Sequence, residues 1–218
     1  MRYFMGIDVG TNETKAVLID EKCEIVAFAS CGHDLLNPQP GFFEHDAEKT
    51  WWGDFCHLSR QLLAESGVDA KDVGCVGLSA LGCDCVPVDA EGTALCNAIL
   101  YGVDSRSHKE IEWLYAYYGK EEAERLYGHE LCSSDIAPKI LWVKNNLPDV
   151  YAKTAKFLTG SSYLCAKLTG KFTIDRYLAE DFAPLYNLTN DTVDEEHCGL
   201  YCRPDQLAQV CNATDIAG

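Results

Sequence analysis

Three short apolar runs open the chain, "RYFMGIDV", "TKAVLID" and "CEIVAFASC", separated by the polar turns "GTNE" and "EK". Runs this short with turn residues this close predict an antiparallel meander of three strands. After the Pro/Gly-rich loop "NPQPG" the period changes. In "HDAEKTWWGDFCHLSRQLLAESG", Trp52, Phe55, Leu58, Leu62 and Leu63 recur at helical spacing, Asp46 is a candidate N-cap and Gly67 a candidate stop. "VGCVGLSAL" then predicts a fully buried strand, and "CVPVD" and "CNAILYGVD" further strands around the turn "AEGT". From Ser105 onward the pattern is mostly helical. "SHKEIEWLYAYYG" places Ile111, Leu114 and Tyr118 on one face, and "APKILWVKNNLP" starts with Pro138 near its first turn and ends before Pro148. "KFLTG" and "KFTID" are extended, "SSYLCAKLTG" between them is a helix with Ser161 as candidate cap and Gly170 as stop, and "DEEHCGLYCRPDQLAQVC" is expected to be helical. Three strands, a helix, a strand and then helices describe an α/β layer architecture with a mixed sheet.

The 218 residues suffice for one substantial core or two small ones. A formal net charge of -16 repels nucleic acid and anionic membrane, so neither is an expected partner. The same field opposes a phosphorylated ligand, and a phosphate site here must bring its own cation or backbone amides. The 12 cysteines come without a basic, apolar leader and are expected to be reduced thiols in a cytoplasmic protein. Cys23, Cys75, Cys96 and Cys165 lie inside apolar runs and are expected to act as small hydrophobes. "CDC" and "CGLYC" contain metal-ligand residue types, but neither has a second pair at zinc-module spacing. No apolar run reaches the roughly 20 residues of a membrane helix.

Within "GIDVGTNETK", the apolar run carries Asp8 to the end of a strand, where a carboxylate reaches solvent or a hydrated Mg²⁺. Gly10 permits close backbone approach, Thr11 and the amides of the turn can donate to phosphate oxygens, and Lys15 on the returning strand supplies a cation. The other reading of the stretch is a plain β-hairpin with a glycine turn. It is neither a dinucleotide fingerprint nor a Walker loop.

The stretch resembles the first phosphate motif of the actin, hexokinase and Hsp70 superfamily, and within it the FGGY carbohydrate kinases, particularly their xylulokinase-like branch. "GFFEHDAEKTWW", "VGCVGLSA", "VPVDAEGTALCNAILYGVDSR", "APKILWVKNN" and "KFLTGSSYLCAKLTGKFTIDR" follow in the family's order, so the resemblance covers nearly the whole chain. An Hsp70-like chaperone or an actin-like filament subunit shares the first motif but leaves "LYGVDSR" and "APKILWVKNN" without a role. The implied fold is α/β, a ribonuclease H-like (actin-like ATPase) domain with a mixed central sheet flanked by helices. The implied activity is ATP-dependent phosphorylation of a sugar or polyol hydroxyl with Mg²⁺. The alternative is a non-catalytic sugar-binding or regulatory module derived from a kinase.

Residue by residue, the resemblance puts Asp8 near Mg²⁺, through water, and the Gly10, Thr11, Asn12 turn and Lys15 at the ATP phosphates. Tyr101, Asp104 and Arg106 match the family's aromatic, Asp and Arg, whose acid commonly binds sugar hydroxyls; a surface Asp-Arg pair at a strand end is the other reading. This motif is one residue longer than the usual xylulokinase form. Leu81, Gly82, Cys83 and Asp84 stand where xylulokinases have Gln-Met-His-Gly, so D-xylulose is not the implied substrate, and Asp84 is either a replacement hydroxyl partner or a surface loop acid. Ser134 occupies a substrate-contacting position, while Lys139 and Trp142 match the Lys-x-x-Trp signature, with Trp142 expected in packing. The family's general base is an Asp in a Gly-Asp motif beyond Gly218. The chain is therefore expected to be the N-terminal, sugar-binding domain, residues 1–218, inactive alone, with the C-terminal kinase domain as its missing partner; a homodimer is also compatible.

Overall fold

A computed structural model describes residues 2–218. Strands β1 (Tyr3–Val9), β2 (Glu13–Asp20) and β3 (Ile25–Gly32) form the expected meander, with Asp8 directly opposite Lys15 and Ile7 opposite Ala16. Alternation decides the faces. Met5, Ile7, Val9, Thr14, Ala16 and Leu18 point to one side and are buried, whereas Phe4, Asp8 and Lys15 point to the other and are exposed. β4 (Glu44–His45) follows the Pro/Gly loop, and a π-helical segment, Ala47–Trp52, capped by Asp46, leads into α1 (Gly53–Ser66). Phe55, Leu58 and Leu62 of α1 pack on the buried face of β2 and β3, and Gly67 ends the helix in the left-handed conformation (φ 70°), as its lack of a Cβ allows.

β5 (Val73–Ala80) runs parallel to β1 and completes a four-stranded mixed sheet of order β3-β2-β1-β5. The expectation of full burial is corrected: Cys75, Val76, Gly77 and Ser79 are exposed, because β5 lies at the sheet edge and no described element covers its outer side. Beyond it, β6 (Val86–Val88) and β7 (Ala98–Ile99) are shorter than their apolar runs. β7 pairs with β4, setting His45 beside Ala98, and so ties the loop after β7 to the segment entering α1.

Helices α2 (His108–Tyr118), α3 (Lys120–Tyr127), α4 (Ile136–Asn146) and α5 (Pro148–Lys153) form a second layer. β8 (Lys156–Leu158) pairs with β6, and α6 (Gly160–Thr169) packs on β5. The N-cap of α6 is Thr159, two residues earlier than the expected Ser161. Then come β9 (Thr173–Asp175), α7 (Arg176–Glu180), the two-strand pair β10 (Tyr186–Asn187) and β11 (Thr192–Val193), α8 (Glu195–Tyr201) and β12 (Gln209–Cys211). Only the first part of the final apolar stretch is helical. Its end is a strand pairing parallel with β9, which supplies the backbone partners that a local pattern does not reveal.

Trp51, Leu58, Leu62, Leu114, Phe157, Tyr163, Phe182 and Tyr201 anchor one continuous core. Among the cysteines expected to serve as small hydrophobes, Cys23 and Cys75 are exposed and Cys96 and Cys165 half-buried; the buried thiols are Cys85, Cys198 and Cys202. Cys23 sits in the turn before β3 with φ 63°, and Cys75 on the open side of β5. No helix among the described residues is long and apolar enough to cross a membrane.

Candidate functional site: a cleft between a polar hairpin and three loops

The turn between β1 and β2 is tight. Gly10 N–H donates to the Glu13 carbonyl at 2.9 Å, and a Cβ on Gly10 would lie 2.9 Å from that same oxygen, so only glycine fits. Asp8 stands exposed at the mouth of the turn, beside Ser79 of β5, and Lys15 pairs with Glu13 at 3.3 Å. The Thr11 hydroxyl lies 3.2 Å from the Tyr101 hydroxyl. That contact joins the hairpin to the loop after β7. Ser79, Ala80, Gly82, Cys83, Tyr101 and Asp181 line a cleft of about 460 Å³ beside it.

Loops set the floor of this cleft, and one buried lysine holds them. Lys139, in the first turns of α4, is fully buried; its ammonium donates to the Cys83 carbonyl at 2.5 Å and the Ser134 carbonyl at 3.4 Å. Burial pushes its pKa down, partly offset by Asp84. Cys83 takes the left-handed conformation (φ 58°), and burial together with Asp181 pushes its thiol up to about 12. Asp181 itself is shifted up, chiefly by burial.

Of the expected substrate residues, Tyr101 lines the cleft, and Ser134, half-buried on the loop before α4, lies next to Gly102 of the Tyr101 loop. The others lie beneath. Asp84 is fully buried; one carboxylate oxygen accepts from Tyr101 N–H at 3.1 Å, the other has no partner, and burial raises its pKa to about 8. Asp104 is also buried, and its oxygens accept from Phe43 N–H, Arg106 N–H and the Arg106 guanidinium at 2.6–3.0 Å. Arg106 pairs with Glu44 as well, at 2.9 Å, and its guanidinium lies over the rings of Phe42 and Trp142, 4.2 and 4.9 Å from their centroids. This Asp-Arg pair braces the Tyr101 loop from below.

Behind the hairpin stands a polar cluster that the motif left unseen. Asp54, in the first turn of α1, accepts from the Thr14 hydroxyl at 2.7 Å and meets His33 Nδ1 at 2.8 Å. The other nitrogen of His33 reaches the Gly10 carbonyl at 3.1 Å, and His45 Nε2 the Thr11 carbonyl at 3.0 Å. Burial, then the neighbouring His33, lowers His45 to about 4. The stretch "EHDAEKTWW" was a signal for His45; nothing local marks His33. On the far side, His129, Cys132 and Asp135 converge within 4.8 Å, with Asp135 already accepting from His129 at 2.9 Å and Cys132 N–H at 2.7 Å.

A glycine-turned hairpin thus meets a cleft at the edge of a mixed sheet. Residues 3–218 match the model of the FGGY family of carbohydrate kinases, N-terminal domain, and the chain belongs to that family. Xylulose kinase of Bacillus subtilis (strain 168) is 28% identical over 170 residues, 78% of this chain and 34% of that protein. Glycerol kinase 1 of Saccharolobus solfataricus is 29% identical over 226 residues, 100% of this chain and 44% of that protein. The chain thus spans less than half the length of these relatives. Among solved structures, ligand-bound xylulose kinase from Lactobacillus acidophilus superposes with TM-score 0.84 at 24% identity, over 97% of this chain and 42% of that one. Plasmodium falciparum glycerol kinase with ADP gives 0.84 at 23%, over 96% and 43%. The expected actin-like fold is the fold of these kinases, and the xylulose kinase among the sequence relatives supports the xylulokinase-like branch.

Proposed function

We propose that the chain is the N-terminal, substrate-binding half of a kinase that transfers phosphate from ATP to a sugar or polyol hydroxyl. The carrying observation is the 3.2 Å contact between Thr11 and Tyr101, which brings the phosphate-side hairpin and the hydroxyl-side loop to one cleft. The donor set fits a magnesium nucleotide. Asp8 offers an exposed carboxylate for a hydrated Mg²⁺, and Gly10, Thr11, Asn12 and Lys15 surround a turn that admits backbone approach. When bound, MgATP supplies the phosphoryl group. The chain's own residues orient it and the acceptor, which is most of what a phosphoryl-transfer site does.

Acceptor recognition falls to the Tyr101 hydroxyl, Ser79, Ser134 and Asp181. Asp104 and Arg106 serve by bracing the Tyr101 loop, because their polar atoms are spent on backbone and on each other, and Asp84 holds that loop through one carboxylate oxygen while the other has no partner. The names of the relatives, xylulose kinase and glycerol kinase, set the range of candidates from sugars to small polyols. On this reading the general base and the second nucleotide-binding domain belong to the longer family architecture, and the 218 residues alone bind without turnover.

A thermal-shift series with pentuloses, hexuloses, polyols and aldonates tests the substrate side, since a ligand of the native state raises Tm by mass action. One class of polyhydroxyl ligand is expected to raise Tm, with the shift lost in Tyr101→Phe while unliganded Tm stays the same. A shift that survives Tyr101→Phe, or no shift with any member, refutes the assignment of this cleft.

A further inference from the structure

The carbonyls of Gly10, Thr11 and Asn12 are all drawn inward, by His33 Nε2 at 3.1 Å, His45 Nε2 at 3.0 Å and His33 N–H at 3.0 Å. In a trans peptide the C=O and the following N–H point in opposite directions. Fixing the carbonyls of Gly10 and Thr11 therefore turns the amides of Thr11 and Asn12 outward. No described residue accepts from either amide.

We propose that His33 and His45 are the positioning residues of the hairpin: two imidazoles that hold its peptide planes with the Thr11 and Asn12 amides presented to a polyphosphate. The inference rests on the phosphate reading of the hairpin and adds to it the device that sets donor direction. Preorganised donors matter because they need no reorientation when charge arrives.

The donors and acceptors around the rings fix their protons. Trp51 Nε1–H can only donate, and it donates to His45 Nδ1 at 3.0 Å; the Thr11 carbonyl can only accept. His45 is thus the neutral tautomer with its proton on Nε2. It is fully buried, and His33 lies edge-on with ring centroids 5.0 Å apart. His33 faces the Gly10 carbonyl, which can only accept, so its Nε2 carries a proton, while its Nδ1 meets the Asp54 carboxylate.

The test is a two-part NMR experiment on the 218-residue chain. Imidazole nitrogen spectra of the unmodified protein at pH 7 are expected to show His45 with a bare Nδ1 and a protonated Nε2; a proton on His45 Nδ1 overturns the inference. Titration with magnesium tripolyphosphate is expected to move the Thr11 and Asn12 amide signals. His33→Phe and His45→Phe, which keep a ring but delete the donor, should weaken that response about tenfold, while His33→Gln and His45→Gln, which keep an N–H donor, restore most of it. A response unchanged in the Phe variants overturns the positioning role and leaves the phosphate reading standing. No response at these amides in the unmodified chain overturns both.

Discussion

Lowering the pH from 7.5 to 5 costs stability at His45. Its side chain is fully buried, accepts a hydrogen bond from Trp51 on Nδ1 and donates one from Nε2 to the Thr11 carbonyl, so it has no place for a second proton in the folded state. Burial and His33 hold its pKa near 4, against 6.5 for an ordinary histidine. A depressed folded value means the unfolded chain binds the proton first. The contribution is whole above pH 6.5 and is lost as pH falls towards 4. The gap converts to about 3 kcal/mol in full and about 2 kcal/mol at pH 5, a large part of the stability of a typical domain. Urea unfolding followed by tryptophan fluorescence at pH 7.5 and 5.0, for the parent and His45→Gln, isolates this contribution, because the carboxylates titrate alike in both and cancel in the difference. The stability of the parent relative to His45→Gln should fall by about 2 kcal/mol over that interval. A difference that does not change with pH refutes the assigned burial and tautomer.

Arg106→Met strands the buried Asp104 carboxylate without its guanidinium and should cost about 3–5 kcal/mol in urea unfolding; a loss under about 1 kcal/mol would mean the pair is not desolvated. Asp84→Asn acts with the opposite pH sense to His45. Because burial raises the folded pKa of Asp84 to about 8, from 3.8, its contribution is whole below pH 3.8 and lost as pH rises through 8. The Asn variant should therefore gain on the parent between pH 4 and pH 8, by on the order of 2 kcal/mol at pH 8, short of the full linkage because Lys139 shares the pocket; equal stability at both pH values would refute the shift. Thr11→Val removes one half-exposed hydrogen bond and should change stability by less than about 1 kcal/mol, while abolishing the thermal shift given by magnesium tripolyphosphate.

The meander of β1 to β3 was readable in the sequence because each strand pairs with its neighbour across a short polar turn. α1 was readable because its apolar positions and Gly67 are local marks. β12 was not, since its partner β9 lies more than thirty positions back in the chain and parallel pairing leaves no turn signature. The exposure of β5 was misread for a related reason. An unbroken apolar run records what the strand tolerates, and the covering of its outer side depends on elements elsewhere. In the cleft, residue type was legible and atomic commitment was not. Asp84 and Asp104 announce carboxylates in the right loops, but only three-dimensional packing shows that backbone amides and Arg106 occupy Asp104 and that the Tyr101 amide takes one oxygen of Asp84. His33 and His45 went unseen as a pair because their partners are main-chain carbonyls, which leave no trace in a pattern of side chains.

The pairing of β1 with β2 gives Asp8 a second duty. Strand faces alternate, so a slide of one position would exchange them, sending Met5, Ile7 and Val9 into water and pressing the Asp8 carboxylate into the core beside α1. A buried carboxylate with no partner costs several kcal/mol. The acid offered to solvent at the strand's end thus also discriminates against misaligned hairpins while the sheet assembles, and a substitution chosen only to silence chemistry, such as Asp8→Val, would remove an error check from folding at the same time.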